Sequence, residues 1–156
     1  MSEIKKSILY SPCLWIGALL LLNMVSCTEE KSLTEREVTI QLLTDNNEKY
    51  WMVDQTTIDG NGVTLSTCDS SYVLLLKADF TWKELNFKLQ CNQGGFGSWS
   101  LNDENNVLSI SYFNPNTGMS AERHFEIEEL SENYFAYQIA QNNRLKYVRL
   151  KKRQSQ

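Results

Sequence analysis

The sequence predicts an all-β domain, an eight-stranded antiparallel up-and-down barrel preceded by one short helix, and three observations predict it. Short runs rich in β-branched and aromatic residues recur at fairly even intervals between turn residues from position 50 onward, the pattern of a sandwich or barrel. Where alternation is legible it has period two: Leu108, Ile110 and Tyr112 interleave with Ser109 and Ser111, and Phe125 and Ile127 with His124, Glu126 and Glu128. Most breaks are of hairpin length, which favours a meander that closes into a ring and so removes its edges.

Taken in order, residues 1–6 carry Lys5 and Lys6, and residues 13–22 form an uninterrupted apolar run bounded by Pro12 and Asn23. That run has the length of a signal-peptide core rather than of a membrane span. An uncleaved anchor is the alternative, and it leaves the same domain outside the same membrane. The run ends in Met24-Val25-Ser26-Cys27, which resembles the lipobox of bacterial lipoproteins, with Met24 where leucine is usual. The resemblance implies cleavage before Cys27 and acylation of its thiol, so that residues 1–26 are a lipoprotein signal peptide.

Residues 27–33 read as a polar tether between lipid and domain, and residues 34–156 as the barrel domain. The acidic pair Glu29 and Glu30 resembles the surface-export signal of lipoproteins in some Gram-negative lineages. It implies outer-membrane attachment, with display on the cell surface as an expectation. Thr34 and Glu37 form a T-x-x-E capping box, which predicts a helix over 34–43 with Val38, Leu42 and Leu43 on one face. Strand composition then runs over 50–58, 63–67, 72–77, 81–91, 98–101, 107–113, 120–127, 134–140 and 144–151. Asp59-Gly60-Asn61-Gly62, Ala78-Asp79, the Asn114 to Gly118 stretch and Gln141-Asn142-Asn143 supply turns.

The whole chain of 156 residues has a formal charge of −4, and a cut before Cys27 removes Lys5, Lys6 and Glu3 and leaves 130 residues. That is one domain, mildly acidic, and a poor partner for nucleic acid. Of the four cysteines, Cys13 leaves with the leader and Cys27 is taken by lipid. Cys68 and Cys91 remain, and in an oxidising compartment they are expected to be bridged, with buried free thiols as the alternative. His124 is the only histidine, so a zinc site is not expected.

A second set of residues resembles the lipocalin-like domain of small bacterial lipoproteins: Leu42-Leu43-Thr44 at the helix end, Trp51 opening the first strand, Asp59-Gly60, and Cys68-Asp69 before an apolar strand. It continues through Asp79 to Trp82, Cys91, Gly97-Ser98-Trp99-Ser100-Leu101 and Leu108-Ser109-Ile110, and covers nearly all of the mature chain. The resemblance implies a lipocalin-like barrel. Two departures stand out. Asp79-Phe80 replaces the family's Asp-Gly, and because a bulky residue avoids positive φ the turn is expected to be longer or differently built. Lys49-Tyr50-Trp51 replaces the Gly-x-Trp of the kernel lipocalins, so their hydrophobic-ligand function does not carry over directly.

Gly94-Gly95-Phe96-Gly97 follows no parallel strand and opens no helix, so it reads as a loop rather than a phosphate cradle. Asp103-Glu104 and Glu128-Glu129 have no EF-hand spacing, and no base, nucleophile or metal set assembles at catalytic spacing, so the chain is read as non-enzymatic without a cofactor. His124 and Glu122 share the outward face. Arg123 shares the parity of Phe125 and Ile127, and is either a snorkelling rim residue or a guanidinium aimed into the mouth, where it would suit a carboxylate, phosphate or sugar hydroxyl.

The candidate ligand-binding residues are Arg123, Trp99, Tyr112, Phe125 and Tyr137. Trp51, Trp82 and Trp99 either contact a ligand or simply fill the interior. The expected protein is a monomeric, palmitate-bearing outer-membrane lipoprotein that binds a small apolar or anionic ligand. The alternative is a protein-interaction module, an envelope inhibitor or accessory subunit of a surface complex, with a filled barrel. The basic residues Lys146, Arg149, Lys151, Lys152 and Arg153 would then either lean on anionic lipid or decorate the last strand.

Overall fold

The structure is a computed structural model and describes residues 32–88, 90–91, 94–114 and 119–154. The leader, the lipobox and Cys27 lie outside the described residues. Helix α1 (Glu35–Thr44) starts as expected: the Thr34 hydroxyl accepts from the Glu37 N–H at 3.2 Å, and the Glu37 carboxylate accepts from the Thr34 N–H at 2.8 Å. Asp45 ends it at φ 50°, with its N–H on the Gln41 carbonyl.

The buried face differs from expectation. Thr39, Leu43 and Thr44 face the barrel while Val38 is exposed. The threonines tolerate burial because their hydroxyls donate to carbonyls four residues back, Thr39 to Glu35 at 3.0 Å and Thr44 to Ile40 at 2.7 Å.

Strand β1 (Glu48–Ile58) is followed by the two-residue β2 (Asn61–Gly62), the short helix α2 (Thr67–Ser71) and β3 (Tyr72–Lys77). Then come β4 (Thr81–Asn86), β5 (Phe96–Leu101), β6 (Val107–Asn114), β7 (Met119–Leu130), β8 (Tyr134–Gln141) and β9 (Arg144–Lys152). From β3 on, every strand pairs antiparallel with its sequence neighbour, and β1 pairs with both β3 and β9. Eight strands therefore form the closed up-and-down ring that the alternation predicts, and β2 is a small addition to the end of β1.

Two expected strands are corrected. Residues 63–67 do not form one, because Ser66 caps α2 instead: its hydroxyl accepts from the Asp69 N–H and its own N–H donates to the Asp69 carboxylate. The strand expected over 81–91 stops at Asn86, whose side-chain oxygen accepts from the Ser71 hydroxyl and the Lys88 N–H while its amide donates to the Cys68 carbonyl. These bonds turn the chain toward Cys91, and Cys68 and Cys91 are bridged as expected, with Cα atoms 5.5 Å apart.

The β3–β4 turn is longer than a two-residue hairpin, since Leu76 pairs with Trp82. Yet Phe80 itself takes φ 63°, against the expectation that a bulky residue would avoid it. Asp79 supports that geometry by accepting from both the N–H and the hydroxyl of Thr81, and the Phe80 ring lies 4.9 Å from that of Trp99.

Bulges in two strands reset parity. In β7 the register shifts between Ile127 and Glu129, so Glu128 and Glu129 both face out and Leu130 returns to the core. In β1 the shift between Val53 and Gln55 turns Asp54 outward onto Arg149 at 3.4 Å and Lys151 at 3.0 Å, and Thr56 inward.

α1 lies across one end of the ring, the base, with Leu43 plugging it and Arg36 donating to the Leu101 and Asn102 carbonyls. The base half is filled by Trp51, Leu76, Trp99, Leu108, Phe135 and Leu150. Each buried indole N–H meets a backbone carbonyl: Trp51 that of Leu43 at 3.0 Å, Trp82 that of Ser111 at 3.1 Å, Trp99 that of Lys77 at 3.0 Å. The tryptophans fill rather than line a cavity.

Lys49, with 1% of its side chain exposed, points the same way as Trp51 and donates to the Leu42 carbonyl. Its ammonium also pairs with Asp45 at 3.1 Å and lies 4.4 Å from the Trp51 ring centre. Asp45 takes Lys152 as well. Burial pulls the Lys49 pKa down despite these partners.

Candidate functional site

The end opposite α1 is the mouth, and inward parity on five strands brings polar side chains together there. Arg123 and Phe125 come from β7, Tyr137 from β8, Lys146 and Val148 from β9, Tyr72 from β3 and Glu84 from β4. They line two adjoining cavities of about 260 and 350 Å³ that share Arg123, Tyr137, Lys146 and Val148. Asp69 of α2 reaches the first of these, held there by the Cys68–Cys91 bridge next to it in sequence.

Glu84, half-buried, is the anchor of the wall. Its carboxylate accepts from the Tyr72 hydroxyl at 2.9 Å and from the Gly95 N–H at 3.2 Å. A side chain at position 94 would collide with Glu84, since a Cβ there would sit 2.0 Å from the Glu84 Cβ. The glycine-rich stretch is thus a close-packing device, and Phe96 and Gly97 already belong to β5.

Burial raises the Tyr72 pKa well above the usual phenol value, and the Glu84 charge raises it further. Tyr137 is raised for the same two reasons, with Arg123 opposing. The Asp69 carboxyl is lowered, chiefly by the Ser66 hydroxyl that donates to it at 2.6 Å.

Of the residues singled out in the sequence, Arg123, Phe125 and Tyr137 come together at the mouth. Phe125 and Tyr137 meet edge to face at 4.6 Å. Tyr112 joins them through the Arg123 guanidinium, 5.2 Å from its ring centre. Trp99 does not: it is buried at the base against Phe80. His124 lies outside on the exposed face, 2.8 Å from the Ser109 hydroxyl and 3.9 Å from Glu122.

Sequence reasoning missed Glu84, Tyr72, Asp69 and Lys146. Parity was the available signal for three of them, since Glu84 follows Trp82 by two, and Tyr72 and Lys146 precede Leu74 and Val148 by two. The other basic residues of β9 pair separately: Arg144 with Asp59, Arg149 and Lys151 with Asp54, and Lys152 with Asp45. Arg153, just beyond the strand, lies over the Phe87 ring. Among the described residues no three His, Cys, Asp or Glu side chains are grouped to hold a metal ion. No protein-family model matches the chain, and no curated protein matches it.

Proposed function

We propose that the chain is a non-enzymatic, lipid-anchored envelope lipoprotein, acylated at Cys27 and attached to the outer membrane, whose lipocalin-like barrel binds a small ligand in its mouth. The observation that carries the binding reading is the contrast along the barrel interior, filled at the base by indoles with satisfied N–H groups and open at the mouth among charged and phenolic side chains; the clefts of about 560 and 450 Å³ at the base lie beside α1 and share Asp45, Asn133 and Lys152. The lipobox-like Met24-Val25-Ser26-Cys27 supports the anchor, and the bridge between Cys68 and Cys91 suits an oxidising compartment.

Two measurements test the proposal together. Intact mass of the membrane-extracted protein is expected to show an acylated N-terminus at Cys27, and any other mature N-terminus, or unchanged detergent partitioning of Cys27→Ser, refutes the anchor. Native mass spectrometry is expected to find a small molecule that co-purifies with wild type and is lost on Arg123→Ala but not on His124→Ala; the reverse pattern refutes the mouth. A second reading, a protein-interaction module, rests on the large exposed aromatics Phe96, 74% exposed, and Phe87, 55% exposed.

A further inference from the structure

The mouth contains two acids and two bases, and hydrogen-bond accounting separates them. Both Glu84 oxygens are engaged, by the Tyr72 hydroxyl and the Gly95 N–H, and the Asp69 carboxylate is held by Ser66. The Arg123 and Lys146 side chains, among the described residues, enter no ion pair and no hydrogen bond; the guanidinium only lies over Tyr112. The Tyr137 hydroxyl has no hydrogen-bond partner among the described residues either, and it keeps its proton because burial disfavours the phenolate. The Glu84 oxygens and Asp69 Oδ2 are therefore in use, while Asp69 Oδ1 and the donors of Arg123, Lys146 and Tyr137 are open.

From this we propose that the ligand is a small organic acid, its carboxylate held by Arg123 and Lys146 and its apolar body laid against Phe125, Ile139 and Val148. The proposal rests on the binding-module reading and narrows it to a ligand class. A guanidinium offers a planar donor fork that matches a carboxylate, Lys146 adds a second positive charge, and the Tyr137 hydroxyl adds a neutral donor. Phe125, Ile139 and Val148 offer the ligand's body apolar contact, with the Gln141 amide lining the same cavity.

Size sets a limit as well. The 350 Å³ cavity that Phe125, Ile139 and Val148 line corresponds to roughly twelve waters at liquid density, so the ligand has on the order of ten non-hydrogen atoms. Beneath it Leu74, Trp82 and Ile110 are buried in the core cluster, which leaves no channel for a long acyl chain.

The test is titration of the full-length chain in lipid nanodiscs by ligand-observed NMR, with benzoate, benzyl alcohol and inorganic phosphate as probes. Benzoate is expected to bind at least tenfold more tightly than benzyl alcohol, and more weakly as salt is raised. Arg123→Gln is expected to weaken benzoate tenfold or more and Lys146→Gln severalfold, with His124→Ala unchanged. Should Arg123→Gln fail to fold, Arg123→Lys keeps the charge but loses the fork and is expected to bind benzoate severalfold more weakly than wild type. If benzyl alcohol binds the mouth as well as benzoate, the acid assignment falls while the binding reading stands. If phosphate binds as well as benzoate, the apolar body falls. If no probe binds, both readings fall together.

Discussion

Lys49 places its ammonium 2.7 Å from the Leu42 carbonyl, so the first strand of the barrel reaches back to close the last turn of the helix before it. The carbonyls at a helix C-terminus lack intrahelical partners and carry the negative end of the dipole, which makes a buried cation acceptable there. Trp51, two residues on, satisfies the next carbonyl, that of Leu43. Lys49→Met leaves the Leu42 carbonyl buried without a donor and takes one partner from Asp45. A loss of about 2–4 kcal/mol in urea unfolding is expected. A change under about 0.5 kcal/mol would mean that Lys152 and solvent replace it fully.

The Cys68–Cys91 bridge closes a loop across 23 positions, for which chain-entropy reasoning gives about 3 kcal/mol. The double alanine variant is expected to lose roughly that amount. The loss should be accompanied by faster hydrogen exchange at α2 and around Gly95, the segments that the bridge holds at the mouth, with the base unchanged.

Phe80 occupies the left-handed region, which costs a non-glycine residue about 1–2 kcal/mol, and offsets part of this through its ring contact with Trp99. Phe80→Ala keeps the backbone cost and loses the ring, whereas Phe80→Gly loses both. The glycine variant is therefore expected to be more stable than the alanine variant by about 1 kcal/mol in thermal unfolding. Equal stabilities would remove the backbone argument.

Alkaline stability follows from the mouth tyrosines. Tyr72 and Tyr137 have raised pKa values, through burial first and the Glu84 charge second, so the folded state holds their protons more tightly than the unfolded chain. Their contribution is fully present below about pH 10 and is lost as pH rises beyond it. Tyrosinate absorbance is expected to show these two phenols ionising only as the barrel unfolds. Tyr137→Phe should make the alkaline loss of stability smaller, and a steeper loss would contradict the assignment.

Much of the ring was legible because its strands obey a two-residue period: Leu108, Ile110 and Tyr112 point inward as their alternation with serine requires. The stretch 63–67 misled because Val63 and Leu65 suit a strand, while the competing S-x-x-D cap at Ser66 acts through a backbone bond that composition does not display. Parity put Arg123 on the inward side but carries no information about depth, which is why Trp99, also inward, proved to sit at the opposite end. Glu84 and Lys49 were hidden for a further reason. A charged residue on a strand reads as solvent-facing until its partners are known, and theirs lie far along the chain or in backbone groups.

α1 crosses the base, at the end of the barrel away from Arg123. No α1 side chain lines either mouth cavity, so substitutions in the helix act on the stability of the ring and leave the lining at Arg123 unaltered.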